Sequence, residues 1–372
     1  MDILDFDALV IGAGMAGATA AAHLAKTHRV AVLEAEDSAG YHSTGRSAAI
    51  WILNYGPPDV RRLTGASRAF FANPPAGFAE APLLAPRPVV TLAPADQLSK
   101  LEAMIAEGEG IEPIAVAAVA AMVPALRPFY AAAAAIERDA FDIDVAALHA
   151  GFLRILRASG GALALRARAG RIWHEGGLWH ALAADGRTYR APSLVNAAGA
   201  WGDAVAAIAG VAPLGLQPKR RTALILDPGA FDCSFWPLLG DVGHSWYVRP
   251  EARRKLMVSP ADETDMDPHD VQPDELDVAI AVDRMQQALD IPVSRIEHRW
   301  AGLRSFTPDR SLAIGFDAEA PGFLWMIGQG GYGIQTAPAA GRLAAGLLRG
   351  DVDADLSAVV PLVDPTRFRR LS

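Results

Sequence analysis

The sequence predicts a mixed α/β protein of two interleaved domains, and three observations carry that reading. The chain opens with a strand, a glycine loop, a helix and a second strand. Junctions of an apolar strand with a small-residue loop return in the middle and near the end. Between them the pattern changes to short strands with hairpin turns. At roughly 150 residues per domain, 372 residues allow two domains and a sizeable core.

The first unit is an apolar run, Phe6–Ile11, a loop, Gly12–Gly17, an alanine-rich helix over Met15–Lys26 and a strand, Val30–Leu33, ending at Glu34. This is the βαβ opening of a Rossmann-like domain. Proline and glycine are then frequent from Gly56 to Pro94, which predicts irregular structure leaving that unit. Helical periodicity appears over Gln97–Glu107 and Val145–Ser159. From Ala162 to Ala197 short strands are broken by Gly176-Gly177 and Asp185-Gly186, both hairpin turns. Strands are expected at Ala223–Leu226, Trp246–Arg249 and Lys255–Ser259, with a helix over Pro273–Leu289. A last strand, Phe323–Ile327, feeds the loop Gly328–Gly333 and a helix from about Gln335 to Arg349. The domains are read as 1–55, 140–217 and 300–372 for nucleotide binding, and 56–139 and 218–299 for substrate.

Composition excludes several classes. With 34 basic against 42 acidic residues the formal charge is −8, and a nucleic-acid binder needs a basic face. The single cysteine, Cys233, excludes an internal disulfide and a cysteine-cluster metal site. No metal is expected: the nine histidines lack ligand spacing, and Asp262–Asp270 reads as a solvated acidic loop. The amino terminus is acidic and runs straight into a strand, unlike a signal peptide. Windows such as Gly12–Ala25 are too short and glycine-rich to span a bilayer. The expected location is the cytoplasm, with peripheral association with the inner membrane as the alternative. The alanine runs 115–121 and 131–135 are given no function.

The motif Gly12-x-Gly14-x-x-Gly17 stands between strand and helix, where each glycine has a task. Gly12 makes the tight turn, Gly14 lets the backbone approach a pyrophosphate, and Gly17 lets helix and strand pack closely. The helix start at Met15 and Ala16 favours phosphate. Glu34, with Ala35 after it, lies where a carboxylate reaches ribose hydroxyls. A second polar loop follows, Gly40-Tyr-His-Ser-Thr-Gly-Arg-Ser47, contributing Ser43, Thr44, Arg46, Ser47 and then Ala48. Ala198, Gly199 and Trp201 form a small-residue turn, and Ala169 is expected beside the nucleotide. Gly330, Gly331, Tyr332, Gly333, Ile334 and Gln335 form the last junction, where a helix start can stabilise a reduced flavin. Three glycine loops suit a long, extended ligand such as FAD.

Longer runs carry a family likeness. GYHSTGRSAA (40–49), SRAFF and NPPAGF (67–78), PLL and PRP (82–88), LVNAAGAW (194–201), PLGLQPKRR (213–221), DVQP (270–273), WAGLRSF (300–306) and QGGYGIQT (329–336) span almost the whole chain in one order. With them the chain resembles the FAD-dependent D-amino acid oxidase and dehydrogenase superfamily, most closely the bacterial D-arginine dehydrogenases. The resemblance implies a D-amino acid oxidase-like fold, with a discontinuous FAD domain and a substrate-domain sheet over the flavin.

It also implies a substrate-carboxylate clamp of Arg221, Tyr247 and Arg304, a lid residue at Tyr55, and carbonyls near Gly331 for the substrate amine. Two arginines and a phenol can hold a carboxylate by charge-assisted bonds. Two departures matter. Val89 stands where the D-arginine enzymes carry a glutamate for the substrate guanidinium, and Ile50 where they carry a histidine. No carboxylate is then expected in the side-chain pocket, so the substrates expected are D-amino acids with hydrophobic side chains. Oxidation yields an imino acid and then a 2-oxo acid, with a hydride leaving Cα for flavin N5 and no protein base required. FAD is expected to be bound non-covalently, and oxygen or a quinone-linked carrier to accept its electrons. The alternatives are a secondary-amine or cyclic imino acid oxidase of the same superfamily, and a flavin-bearing electron-transfer subunit.

Overall fold

The computed structural model describes residues 2–251 and 254–371, so Met1 and Ser372, the outer limits of the expected nucleotide domain, lie outside the described residues. Its centre is a sheet in the order Ala162–Ala164, Val30–Leu33, Ala8–Ile11, Ser193–Asn196, Phe323–Ile327, Ala313–Phe316. The first five strands run parallel and the last pairs antiparallel. Both faces are covered, which explains why these strands read as unbroken apolar runs. Alternate residues divide between the two faces. Val10, Val32 and Met326 pack under the helices Met15–Leu24, Val145–Ala158 and Ala337–Arg349. Leu9, Leu33 and Trp325 face a smaller sheet that carries Ile172, Trp179 and Tyr189. The predicted hairpin turns at 176–177 and 185–186 lie in that smaller sheet.

The second large sheet has nine strands among the described residues. Its longest ladder pairs Gln217–Leu226 with Ile296–Phe306. This ladder crosses the expected domain boundaries at 217/218 and 299/300, so continuous strands join the two halves. Across the sheet follow Lys255–Ser259, Tyr247–Glu251, Leu238–Asp241, Val89–Ala93, Ala133–Glu137 and Ile111–Ile114. One face packs on the helix Glu275–Ala288 through Val278, Ala281 and Met285. Asp274 caps that helix by accepting from Leu276 N at 2.9 Å, a local reason for its start.

The stretch from Gly56 to Pro94 is more regular than expected. Pro58–Ala72 is a fifteen-residue helix with Pro58 in its first turn. Its buried face, Val60, Leu63, Thr64, Ser67 and Phe71, has helical spacing but includes two hydroxyls. Those hydroxyls donate back to the Val60 and Leu63 carbonyls, both at 2.8 Å. The polar residues on its buried face hid the helix from a reading of apolar periodicity. No helix among the described residues is long and apolar enough to cross a membrane.

Candidate active site

The carboxyl ends of the parallel strands open onto a cavity of about 1340 Å³ that continues beneath the large sheet. That exceeds the roughly 300–1,000 Å³ usual for a small-molecule site. Every predicted site residue except Gly17 lines it.

The glycine loop is shaped by close approach. Gly12 sits at φ +100°, and a Cβ there would lie 2.6 Å from the Ala197 carbonyl oxygen. A Cβ on Gly17 would lie 1.9 Å from the Gly12 oxygen. Gly17 therefore lies outside the cavity and holds the helix against its own loop. Glu34 is buried at the loop's edge, its carboxylate accepting from Ala13 N at 2.7 Å and Glu36 N at 3.0 Å. Each carboxylate oxygen keeps a lone pair for a further donor. Thr44 Oγ1 accepts from Met15 N at 2.9 Å, tying the second loop to the helix start.

Four predicted cofactor residues spend their side chains on the protein, Ser47 by donating to the Ser43 carbonyl at 2.6 Å. The Arg46 guanidinium donates to the Val271 and Ala301 carbonyls at 3.1 Å and pairs with Asp270. Ser43 donates to the Leu303 carbonyl at 2.7 Å. Gln335 donates to Thr64 and accepts from Ile52 N, bracing the segment that leads to Tyr55.

His149, absent from the sequence reading, supports the first loop from beneath. Its Nε2 lies 2.9 Å from the Ala13 carbonyl oxygen, which can only accept, so Nε2 carries the proton. Burial holds the imidazole below its ordinary pKa, although the bond to Ala13 and the nearby Glu34 oppose the shift. Above about pH 6.5 both the folded and the unfolded chain carry neutral imidazole. Below it the unfolded chain takes up a proton that the folded chain resists, so stability is lost as the pH drops. His149→Gln keeps a donor but does not titrate. The loss of melting temperature between pH 7.5 and 5.5 is expected to be smaller in that variant, and equal losses would rule out His149 as the titrating group.

The clamp residues arise from strand alternation. Arg221 is opposite Gly302, and Lys219 is opposite Arg304, which places Arg221 and Arg304 on one face. Arg220 points the other way, to Asp277 at 2.7 Å. Lys219 shares the face of Arg221 but pairs with Asp265, so of the Lys219–Arg221 run only Arg221 lines the cavity. Arg304 donates to the Tyr55 hydroxyl at 3.1 Å, and a Cβ on Gly331 would lie 2.8 Å from Arg304 Nη1. Burial opposes the charge on Arg304, but the surrounding Tyr55, Tyr247 and Glu263 outweigh it and raise its pKa further. Burial likewise opposes ionisation of Tyr247. The charges of Arg304 and Arg221, with hydrogen bonds to Ser259 and Arg221, overcome that and lower its pKa. Tyr55 meets Tyr332 edge to face, with ring centroids 5.1 Å apart. Arg221, Tyr247, Arg304 and Tyr55 thus line one electropositive end of the cavity.

Three of the other charged residues on the cavity bear on this reading. Glu263 accepts from Arg310 at 2.9 and 3.0 Å and from Arg221 at 3.3 Å. The segment 262–270 is therefore not simply a solvated acidic loop. The Asp262 carboxylate is also buried, accepting from Thr222 N at 2.7 Å. Arg310 lies over the Phe306 ring, 4.0 Å from its centroid. The third is Glu137, cross-strand partner of Val89. The expectation that no carboxylate enters beside Val89 and Ile50 is thus corrected. The signal was a glutamate two positions beyond Ala135, on the same strand face as Ala133 and Ala135. Among the described residues no group of three or more His, Cys, Asp or Glu could hold a metal.

A parallel sheet with a glycine fingerprint, an acidic residue closing its second strand and two more small-residue loops on one long cavity defines a dinucleotide-binding oxidoreductase. The chain belongs to the FAD dependent oxidoreductase family, whose model matches residues 7–347, and it is FAD-dependent. Among solved structures it is similar to the L-proline dehydrogenase from P. horikoshii, with TM-score 0.85, 21% identity and all of both chains covered. It is similar to glycine oxidase from Geobacillus kaustophilus, with TM-score 0.83, 19% identity and 98% and 99% of the two chains covered. L-alpha-glycerophosphate oxidase from Mycoplasma pneumoniae, with FAD bound, matches at TM-score 0.81 and 15% identity over 93% and 95%. At these identities the likeness shows the fold.

Proposed function

We propose that the chain oxidises a D-amino acid to the imino acid, which water hydrolyses to a 2-oxo acid and ammonia. The observation that carries this reading is the cluster of Arg221, Tyr247, Arg304 and Tyr55 on the cavity. Two guanidinium groups and two phenols facing one space suit an α-carboxylate, and such charge-assisted bonds are each worth about 1.5–3 kcal/mol. In this reading Gly12, Gly14 and the start of the following helix hold the FAD pyrophosphate, and Glu34 takes a ribose hydroxyl. The loops 43–48, 198–201 and 330–335 enclose the rest. FAD, when bound, supplies a two-electron acceptor, so the substrate loses hydrogen from Cα and from its amine.

Orientation by the clamp and exclusion of water by Tyr55 supply the rate. Ile50, Val89 and Leu238 provide an apolar wall for the first atoms of the side chain. A wholly hydrophobic side chain was expected on the premise that no carboxylate stands there, and Glu137 removes that premise.

The test is an anaerobic panel read at the flavin absorbance, with D- and L-amino acids, secondary and cyclic amino acids, and 2-hydroxy acids. The purified protein is expected to be yellow and to release FAD on heat denaturation, since its single cysteine, Cys233, is buried in the core behind the large sheet. D-amino acids are expected to bleach the flavin fastest. Bleaching by secondary amines alone would replace this reading with the amine-oxidase alternative. Bleaching by none would favour an electron-transfer subunit.

A further inference from the structure

Glu137 is only 7% exposed, yet its side chain lines the cavity. Its carboxylate accepts from Leu53 N at 3.2 Å, and no cation pairs with it among the described residues. Burial pushes the carboxyl up in pKa, with hydrogen bonds from Asn54 and Leu53 opposing the shift. A buried carboxylate without a counter-charge is costly unless something pairs with it. The protein's own interactions here are backbone and amide donors, from Leu53 and Asn54.

Strand register places this carboxylate relative to the clamp. Tyr247, Gly240, Thr91 and Ala135 form one row across four strands. Leu238, Val89, Glu137 and Ile111 form the adjoining row. All eight line the cavity. Tyr247 and Glu137 are thus three strand spacings apart and one two-residue step along, about 14 Å across and about 7 Å along. Both side chains reach inward from that separation. The space left between them suits a substrate several atoms longer than its carboxylate, running over Val89 and Leu238.

We propose that Glu137 is a specificity-determining residue that takes a cationic group, an ammonium or a guanidinium, at the far end of a substrate side chain whose stem packs on Val89 and Leu238. This inference rests on the amino-acid reading of the clamp. It relocates recognition of the side-chain tip to a strand neighbour of Val89, a position that no family motif in this sequence marks. Lys100 and Glu107 also line the cavity, but both are exposed and so offer a tip less than a desolvated carboxylate does.

Lysine and norleucine differ only in the terminal ammonium, so the ratio of their kcat/KM values isolates the tip. In the D series we expect lysine to exceed norleucine by roughly tenfold or more, as one charge-assisted bond implies. Glu137→Leu is expected to bring the ratio to about one or below. Glu137→Gln, which keeps an acceptor for Leu53 N–H, is expected to lower it by at least about tenfold with an unchanged flavin spectrum. Binding without turnover gives the independent arm. 6-Aminohexanoate should shift the melting temperature of the holoenzyme more than hexanoate does, and Glu137→Gln should abolish the difference.

A wild-type ratio near one, or a ratio unmoved by both substitutions, overturns the role of Glu137 and leaves the clamp standing. Absence of turnover with either amino acid, together with no shift from either carboxylate, overturns the amino-acid reading and this inference with it.

Discussion

Arg304→Ala is expected to raise the KM for amino acids by roughly ten- to 150-fold, the equivalent of about 1.5–3 kcal/mol from one lost charge-assisted contact. The flavin spectrum should be nearly unchanged, because Arg304 stands on a strand of the nine-stranded sheet rather than on a glycine loop. Arg304 keeps its charge in a buried setting through Tyr55, Tyr247 and Glu263. Removing it withdraws a cation from the cavity and also frees the Tyr55 hydroxyl that it holds. Arg304→Lys should recover part of the loss, since an ammonium restores the charge but not the two-pronged geometry. Arg221→Ala should cost less than Arg304→Ala, because Arg221 already shares itself with the Asp262 carbonyl and Glu263. Steady-state kinetics of the three variants check this. Wild-type KM values in Arg304→Ala would place the carboxylate elsewhere.

Gly17→Ala is expected to destabilise the protein and release its flavin. The added Cβ would fall 1.9 Å from a backbone oxygen of the preceding turn, which no side-chain rotation can relieve. Helix and loop must separate; overpacking costs about 1–3 kcal/mol, and so close a backbone clash belongs at the upper end. If that displacement fell wholly on the phosphate-binding loop, FAD would bind roughly a hundredfold more weakly. Gly14→Ala provides the contrast. Its Cβ would meet only Thr44 Oγ1, at 3.4 Å, an ordinary contact. It should therefore weaken FAD binding through the ligand side while the melting temperature of the apoprotein is kept. Flavin content after gel filtration and the apoprotein melting temperature separate the two effects. A Gly17→Ala protein that retains both FAD and stability would show that the fingerprint is not packed as described.

What the sequence determined by itself was local or periodic. The βαβ unit is legible because a turn, a close approach and a helix packed on its own loop each require glycine at a set spacing, and Gly12, Gly14 and Gly17 supply them. The parallel strands are legible because sheets covered on both faces exclude polar residues. The hairpins at 176–177 and 185–186 follow from turn chemistry in the same way. What only the tertiary structure decided was non-local. Arg221 and Arg220 are adjacent in the chain, and the two-residue period of a strand sends one into the cavity and the other to Asp277. Glu263 became a cavity residue because Arg310, 47 positions later, folds back onto it. Helix Pro58–Ala72 escaped notice because its buried hydroxyls satisfy themselves on their own backbone, which hydropathy cannot register. Glu137 follows an alanine run that looked empty of meaning, and its importance depends on lying opposite Val89 in a ladder that joins positions 48 residues apart. A spacing motif records what a short stretch of backbone requires, whereas the charge lining a cavity depends on which distant strands become neighbours.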